Sequence, residues 1–116
     1  MITKQVSWGD AIVVELFRTP GGLKAVVDAI IEEVGPTVGT RNTFAKLLRV
    51  EDPEAMSDKD KWRAWLLLVA LHQDPNEWGI GDAPIPRSLD ADMLMTRLHE
   101  SAPSRTRTYD LRIKSP

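Results

Sequence analysis

The chain of 116 residues contains no cysteine. Disulfides, thiolate metal sites and cysteine nucleophiles are therefore excluded. It has no run of about 18 apolar residues, which a membrane-spanning helix requires. The first residues, MITKQVSWGD, lack the apolar stretch after a basic start that marks a secretory signal. These absences predict a cytoplasmic protein. Neither sign of charge dominates: 15 Lys and Arg face 17 Asp and Glu, a formal net charge of −2. A nucleic-acid-binding domain usually carries a basic footprint, and the chain as a whole does not. No internal repeat is visible, no segment alternates as a strand does, and no pairing of nucleophile and base suggests an enzyme. No cofactor, metal or small-molecule ligand is expected.

An apolar fraction of 42% is enough for a core in one compact domain, or in a small domain with an appendage. The apolar periodicity is helical. Ile12, Val13, Leu16 and Phe17 predict a first helix from Trp8 to Arg18 with Ser7 as its cap. Thr19-Pro20-Gly21-Gly22 breaks it. Leu23, Val26, Val27, Ile30, Ile31 and Val34 predict a second helix that ends at Gly35-Pro36. Thr40 caps a third, running through Thr43, Phe44, Leu47 and Leu48 and ended by Asp52-Pro53. Ser57 and Asp58 open a fourth, apolar on most sides from Trp62 to Leu71, as a central helix should be, with Pro75 as its stop. Residues 76–86 form a Gly- and Pro-containing loop in which Trp78 folds back on the core. Asp90 to Glu100 gives a last helix through Met93, Leu94, Arg97 and Leu98. The expected fold is all-α: a small bundle of about five helices containing a helix-turn-helix.

Charge is segregated along the chain. From Thr37 to Val50 the charged residues are Arg41, Lys46 and Arg49, with no acid. Acids then cluster at Glu51, Asp52, Glu54, Asp58 and Asp60. A local positive face can thus sit on a slightly acidic protein. It coincides with the segment around Gly35 to Gly39, where a helix, a Gly-containing turn and a second helix with small polar and basic residues at its start form a helix-turn-helix pattern. That arrangement needs an apolar face to hold the second helix, supplied by Phe44, Leu47 and Leu48. It also needs exposed donors for base edges and phosphates. The DNA-binding candidates are Thr40, Arg41, Asn42, Thr43, Lys46 and Arg49. Arginine can fork onto guanine, asparagine can pair with adenine, and threonine can touch a thymine methyl or a phosphate. A connection of about five residues is longer than the usual tight turn, and a capped surface helix would show the same T-R-N-T start.

Other residues have plainer readings. Trp62 and Trp65, at helical spacing in an apolar stripe, belong to the core rather than to a base-stacking platform. His72 and His99 lie far apart, without ligand spacing, and read as ordinary surface or helix-end residues. The acids from Glu51 to Asp60 lack the alternating pattern of a calcium loop and suit a solvated turn and helix start. Gly79-Ile80-Gly81 is too short for a phosphate loop. Met93 and Met95 read as packing residues.

The last dozen residues, RTRTYDLRIKSP from Arg105 to Pro116, resemble the translated antisense strand of a transfer-RNA gene. Such a peptide is found where a temperate actinobacteriophage attachment site copies part of a host transfer-RNA gene inside the repressor gene. The order of elements, the segment TRNTFAKLLRVEDP and the following WRAWLLLVAL also resemble the immunity repressors of integration-dependent mycobacteriophages, loosely over the first thirty or so residues and more closely from Thr40 to Gly79. The resemblance implies a transcriptional repressor in the bacterial cytoplasm that binds double-stranded operator DNA in lytic promoters and maintains lysogeny and superinfection immunity. It assigns base contact to Thr40 through Lys46. It further implies a longer virion-genome form with a C-terminal degradation signal and a shorter, stable prophage form. The polar ending Lys114-Ser115-Pro116 looks like the stable form. The implied organisation is residues 1–54 with the helix-turn-helix, 55–102 as a helical part packing on it, and 103–116 as a flexible tail. A homodimer is compatible with this reading, although no heptad seam demands one. The alternative is a helical protein-interaction module, antitoxin-like or an adaptor, that uses the Trp62–Leu71 helix as an oligomer interface.

Overall fold

The computed structural model describes residues 7–83, 85–86 and 89–101, so the basic segment Arg105 to Pro116 lies outside the described residues. Five α-helices follow one another: α1 (Trp8–Phe17), α2 (Gly22–Val34), α3 (Arg41–Leu47), α4 (Asp58–Ala70) and α5 (Ala91–Ser101). Short 3-10 turns at Pro36–Val38, Pro53–Ala55 and Pro75–Trp78 join them, and the described residues contain no strand. None of these helices is long and apolar enough to cross a membrane.

The helix starts follow side-chain chemistry. Ser7 Oγ accepts the Asp10 amide and Ser57 Oγ accepts the Asp60 amide, each satisfying one of the donors that a helix start leaves unpaired. Asp90 Oδ1 accepts the amides of Asp92 and Met93 at the head of α5. The acids after Val50 have similar local tasks. Asp52 caps the 3-10 turn through the Glu54 amide, and Asp58 and Asp60 sit in the first turn of α4, where the helix dipole favours negative charge.

One contiguous core runs from Trp8 to Leu98 and so spans both the N-terminal and the C-terminal helices. Helix α4 lies at its centre. Ala64 to Leu71 are all buried, which is why this segment is apolar around most of its circumference. Helices α2, α3 and α5 all pack on α4, and α5 also packs on α2. The tryptophans divide. Trp65 is buried, whereas Trp62 is only partly buried and stacks on Trp65 with ring centroids 5.6 Å apart. Trp78 does fold back: it meets Trp8 edge-on at 5.5 Å, and both rings are buried.

Three expectations need correction. Asp52-Pro53 does not end α3, which ends at Leu47 with Leu48 as its C-cap. Pro75 does not stop α4, which ends at Ala70. The end is a Schellman arrangement: Gln73 donates to the Leu68 carbonyl at 2.8 Å and His72 to Val69 at 3.0 Å. His72 occupies the left-handed position usually given to glycine, with φ 60°. His72, exposed at the end of α4, and His99, in the last turn of α5, are the surface and helix-end histidines expected, and their rings stack, centroids 4.2 Å apart and 15° from parallel. Met93 is 55% exposed and is not a packing residue, while Leu94 and Leu98 are the buried positions of α5.

Leu68 has no exposed surface. Leu68→Ala is expected to lower the unfolding free energy by roughly 2–5 kcal/mol, through lost transfer energy and a cavity. Met93→Ala is expected to change it by less than about 0.5 kcal/mol. Urea denaturation of the two variants checks the difference.

Candidate nucleic-acid interface

The segment between α2 and α3 is built from two glycines and a buried valine. Gly35 closes α2 with φ 99°, its amide donating to Ile31 O at 2.8 Å. Pro36 then opens the 3-10 turn, Val38 is buried, and Gly39 leaves the turn at φ 139°. Both glycines adopt a backbone that side-chain-bearing residues rarely take. Six residues therefore separate Val34 from Arg41, longer than the usual tight turn and containing a helical turn of their own.

Arg63 of α4 holds this connection from behind. Its Nε donates to the Val38 carbonyl at 2.6 Å, and a terminal nitrogen pairs with Asp60 Oδ1 at 2.9 Å. The side chain is 19% exposed, so the bond to the turn is largely shielded from water. Nothing in the sequence marks Arg63 for this role, because its partner is a backbone carbonyl 25 residues away.

Thr40 and Thr43 form a reciprocal cap at the start of α3. Thr40 Oγ1 accepts the Thr43 amide at 3.4 Å, and Thr43 Oγ1 accepts the Thr40 amide at 3.2 Å. Both hydroxyls thus serve the helix start, and Thr43 is only partly exposed. The other four candidates behave differently. Arg41, Asn42, Lys46 and Arg49 are all exposed. Arg41 and Ala45 share one i, i+4 ridge and Asn42 and Lys46 the next, while Arg49 follows the C-cap Leu48 in the turn after α3. Arg41, Lys46 and Arg49 form no ion pair with a described residue. Phe44 and Leu47 project from the opposite side into the core, 0% and 2% exposed.

The far end of α3 is fixed by α1. Trp8 Nε1 donates to the Leu47 carbonyl at 2.7 Å in a buried bond. Gly9 comes so close to the Leu48 carbonyl oxygen that a Cβ at position 9 would collide with it. Trp8, Gly9 and Arg63 therefore position α3 and its turn without belonging to the exposed face.

Beside the turn lies a surface pocket of about 310 Å³, walled by Thr37 and Val38, by Lys59, Trp62 and Arg63 of α4, and by Leu89. Lys59 is exposed and forms no ion pair with a described residue, which adds a cation to the neighbourhood of the turn. Helix α4 itself is no free docking face, because the chain's own helices bury it from Ala64 onward.

Gly9→Ala is expected to destabilise the fold by about 1–3 kcal/mol, since the obstructing atom is backbone that can yield only by moving α1 away from α3. Arg63→Ala is expected to cost roughly 1–3 kcal/mol by leaving the shielded Val38 carbonyl without its donor. Thermal and chemical denaturation of each variant measure the losses.

No family model matches the chain, and no curated protein or solved structure matches it.

Proposed function

We propose that this protein binds double-stranded DNA sequence-specifically and represses transcription, with α3 reading bases. One observation carries the reading: Arg41, Asn42 and Lys46 stand together, exposed, on one side of a helix whose other side is locked into the core, and Arg49 is exposed in the turn just after it. Surface helices usually mix both signs of charge. Here no acid lies between Thr37 and Val50, so the overall charge of −2 does not cancel the local field. Arg41 and Asn42 are the base readers, because each can make two hydrogen bonds to one base edge. Lys46, Arg49 and Lys59 supply phosphate attraction, which orients the protein without reading sequence. Helix α3 spans about 10 Å at 1.5 Å per residue, enough to address only a few base pairs.

The biological setting proposed is phage immunity: silencing of lytic promoters and maintenance of lysogeny. Its support is the resemblance of TRNTFAKLLRVEDP and of the C-terminal RTRTYDLRIKSP to integration-dependent mycobacteriophage repressors. A second reading, a protein-interaction module, draws support from the apolar residues exposed on α1. A mobility-shift titration separates the two. Repression requires a shifted promoter duplex whose affinity falls steeply with salt, whereas a protein-interaction module gives no shift.

Arg41→Ala and Asn42→Ala are each expected to cost about 1–3 kcal/mol of binding to the preferred duplex, with melting temperature unchanged. Lys46→Ala is expected to weaken all sequences alike and to lower the salt slope by about 1. Unaltered affinity in both the Arg41 and the Asn42 variant removes α3 from the reading role.

A further inference from the structure

Helix α1 is apolar on two sides. Trp8, Ile12 and Leu16 face the core, while Phe17 is 86% exposed, Val14 46% and Val13 37%. At 100° per residue, Val13, Phe17, Asp10, Val14 and Arg18 fall within one arc of about 140° on the outer surface. Isolated exposed apolar residues are ordinary, but a phenylalanine left almost wholly in water beside two valines is a contiguous patch. The charges at its two ends suggest what covers it. Asp10 and Arg18 stand four residues before and four residues after Val14, and both are exposed. Asp10 forms no ion pair with a described residue, and Arg18 reaches Glu15 only at 3.7 Å, with 52% of its side chain exposed.

We infer that the outer face of α1 is a self-association surface on which a second copy of this chain packs its own α1 antiparallel, about a two-fold axis near Val14. Such a contact is isologous, so each feature is used twice. Asp10 of each copy lies beside Arg18 of the other, and each Phe17 packs against Val13 and Val14 of the second copy, which share its side of the seam. A parallel pairing sets Asp10 against Asp10 and Arg18 against Arg18, and like charges there oppose it. Three apolar side chains on a ten-residue helix cover less than the ~800 Å² per partner of a standard interface. The association is therefore weak and reversible, and it shows as the protein is concentrated. It stands independently of whether the chain binds DNA.

Sedimentation velocity of the full chain, from dilute to concentrated solution, tests this. The wild-type weight-average mass is expected to climb towards twice the monomer mass, and Phe17→Ser is expected to stay monomeric at every concentration. Phe17 is so exposed that the variant's melting temperature and circular dichroism should match the wild type, which separates a lost contact from a lost fold. Asp10→Arg and Arg18→Asp are each expected to reduce association, because each creates like-charged pairs. The double variant Asp10→Arg/Arg18→Asp is expected to recover it, since an antiparallel contact again pairs opposite charges. A wild-type chain that remains monomeric throughout, or association that survives Phe17→Ser, overturns the proposal. Loss with Phe17→Ser but no recovery in the double variant overturns the antiparallel register.

Discussion

A seven-residue helix has almost no stability of its own, because the cost of its first turn is spread over too few hydrogen bonds. Everything about α3 therefore depends on how it is held, and the decisive hold is the buried bond from the Trp8 indole to the Leu47 carbonyl. That bond engages a carbonyl of the last turn, where helices leave acceptors exposed. It forms only because Gly9 lets two backbones meet without a side chain between them. Trp78 completes the support by packing edge-on against Trp8, so the loop after α4 backs the indole that anchors α3. The opposite end of α3 is held by its threonine cap and, one step earlier, by Arg63 on the Val38 carbonyl. A short helix clamped at both ends keeps its outer side chains in a fixed frame, as the proposed base recognition would require.

The charge pattern has the same logic. The cluster of acidic residues after Val50 would by itself repel a polyanion. They have local structural tasks: Asp52 caps a 3-10 turn and Asp58 opens α4, both still exposed, while Asp60 also pairs with Arg63. The cations of α3 have no such local partners among the described residues. The two signs are thus separated in sequence, the cations on and just after α3 and the acids from Glu51 onward. A net charge summed over the chain conceals this, because it discards where each sign lies.

Much of the fold was legible in the sequence because helix ends carry side-chain chemistry. Ser7, Thr40 and Ser57 cap where a hydroxyl precedes an apolar period, and Gly35 closes α2 as a glycine should. The candidate face was legible for the same reason: once Phe44 and Leu47 are assigned inward, Arg41, Asn42 and Lys46 must point outward. What escaped were contacts across sequence distance and a helix end without its usual residue. The Trp8–Leu47 and Arg63–Val38 bonds both end on backbone carbonyls, which look identical at every position of a sequence. The end of α4 was missed because His72, not glycine, takes the left-handed position. Thr40 and Thr43 were recognised as polar residues at a helix start, but their mutual capping, and hence their reduced availability to a ligand, appeared only in the geometry.

The left-handed His72 also bears on the order in which the molecule assembles. A side-chain-bearing residue in that conformation costs on the order of 1 kcal/mol relative to glycine. Part of the compensation comes from the ring of His99, which belongs to the last helix of the described chain. The final turn of the central helix is therefore finished by an element made much later in the sequence. Until α5 docks, the Gln73–Leu68 and His72–Val69 hydrogen bonds close a turn strained at His72 without its counterweight. The last turn of α4 is thus tied to α5 through a ring contact at the protein's surface, outside the core that holds the rest of α4.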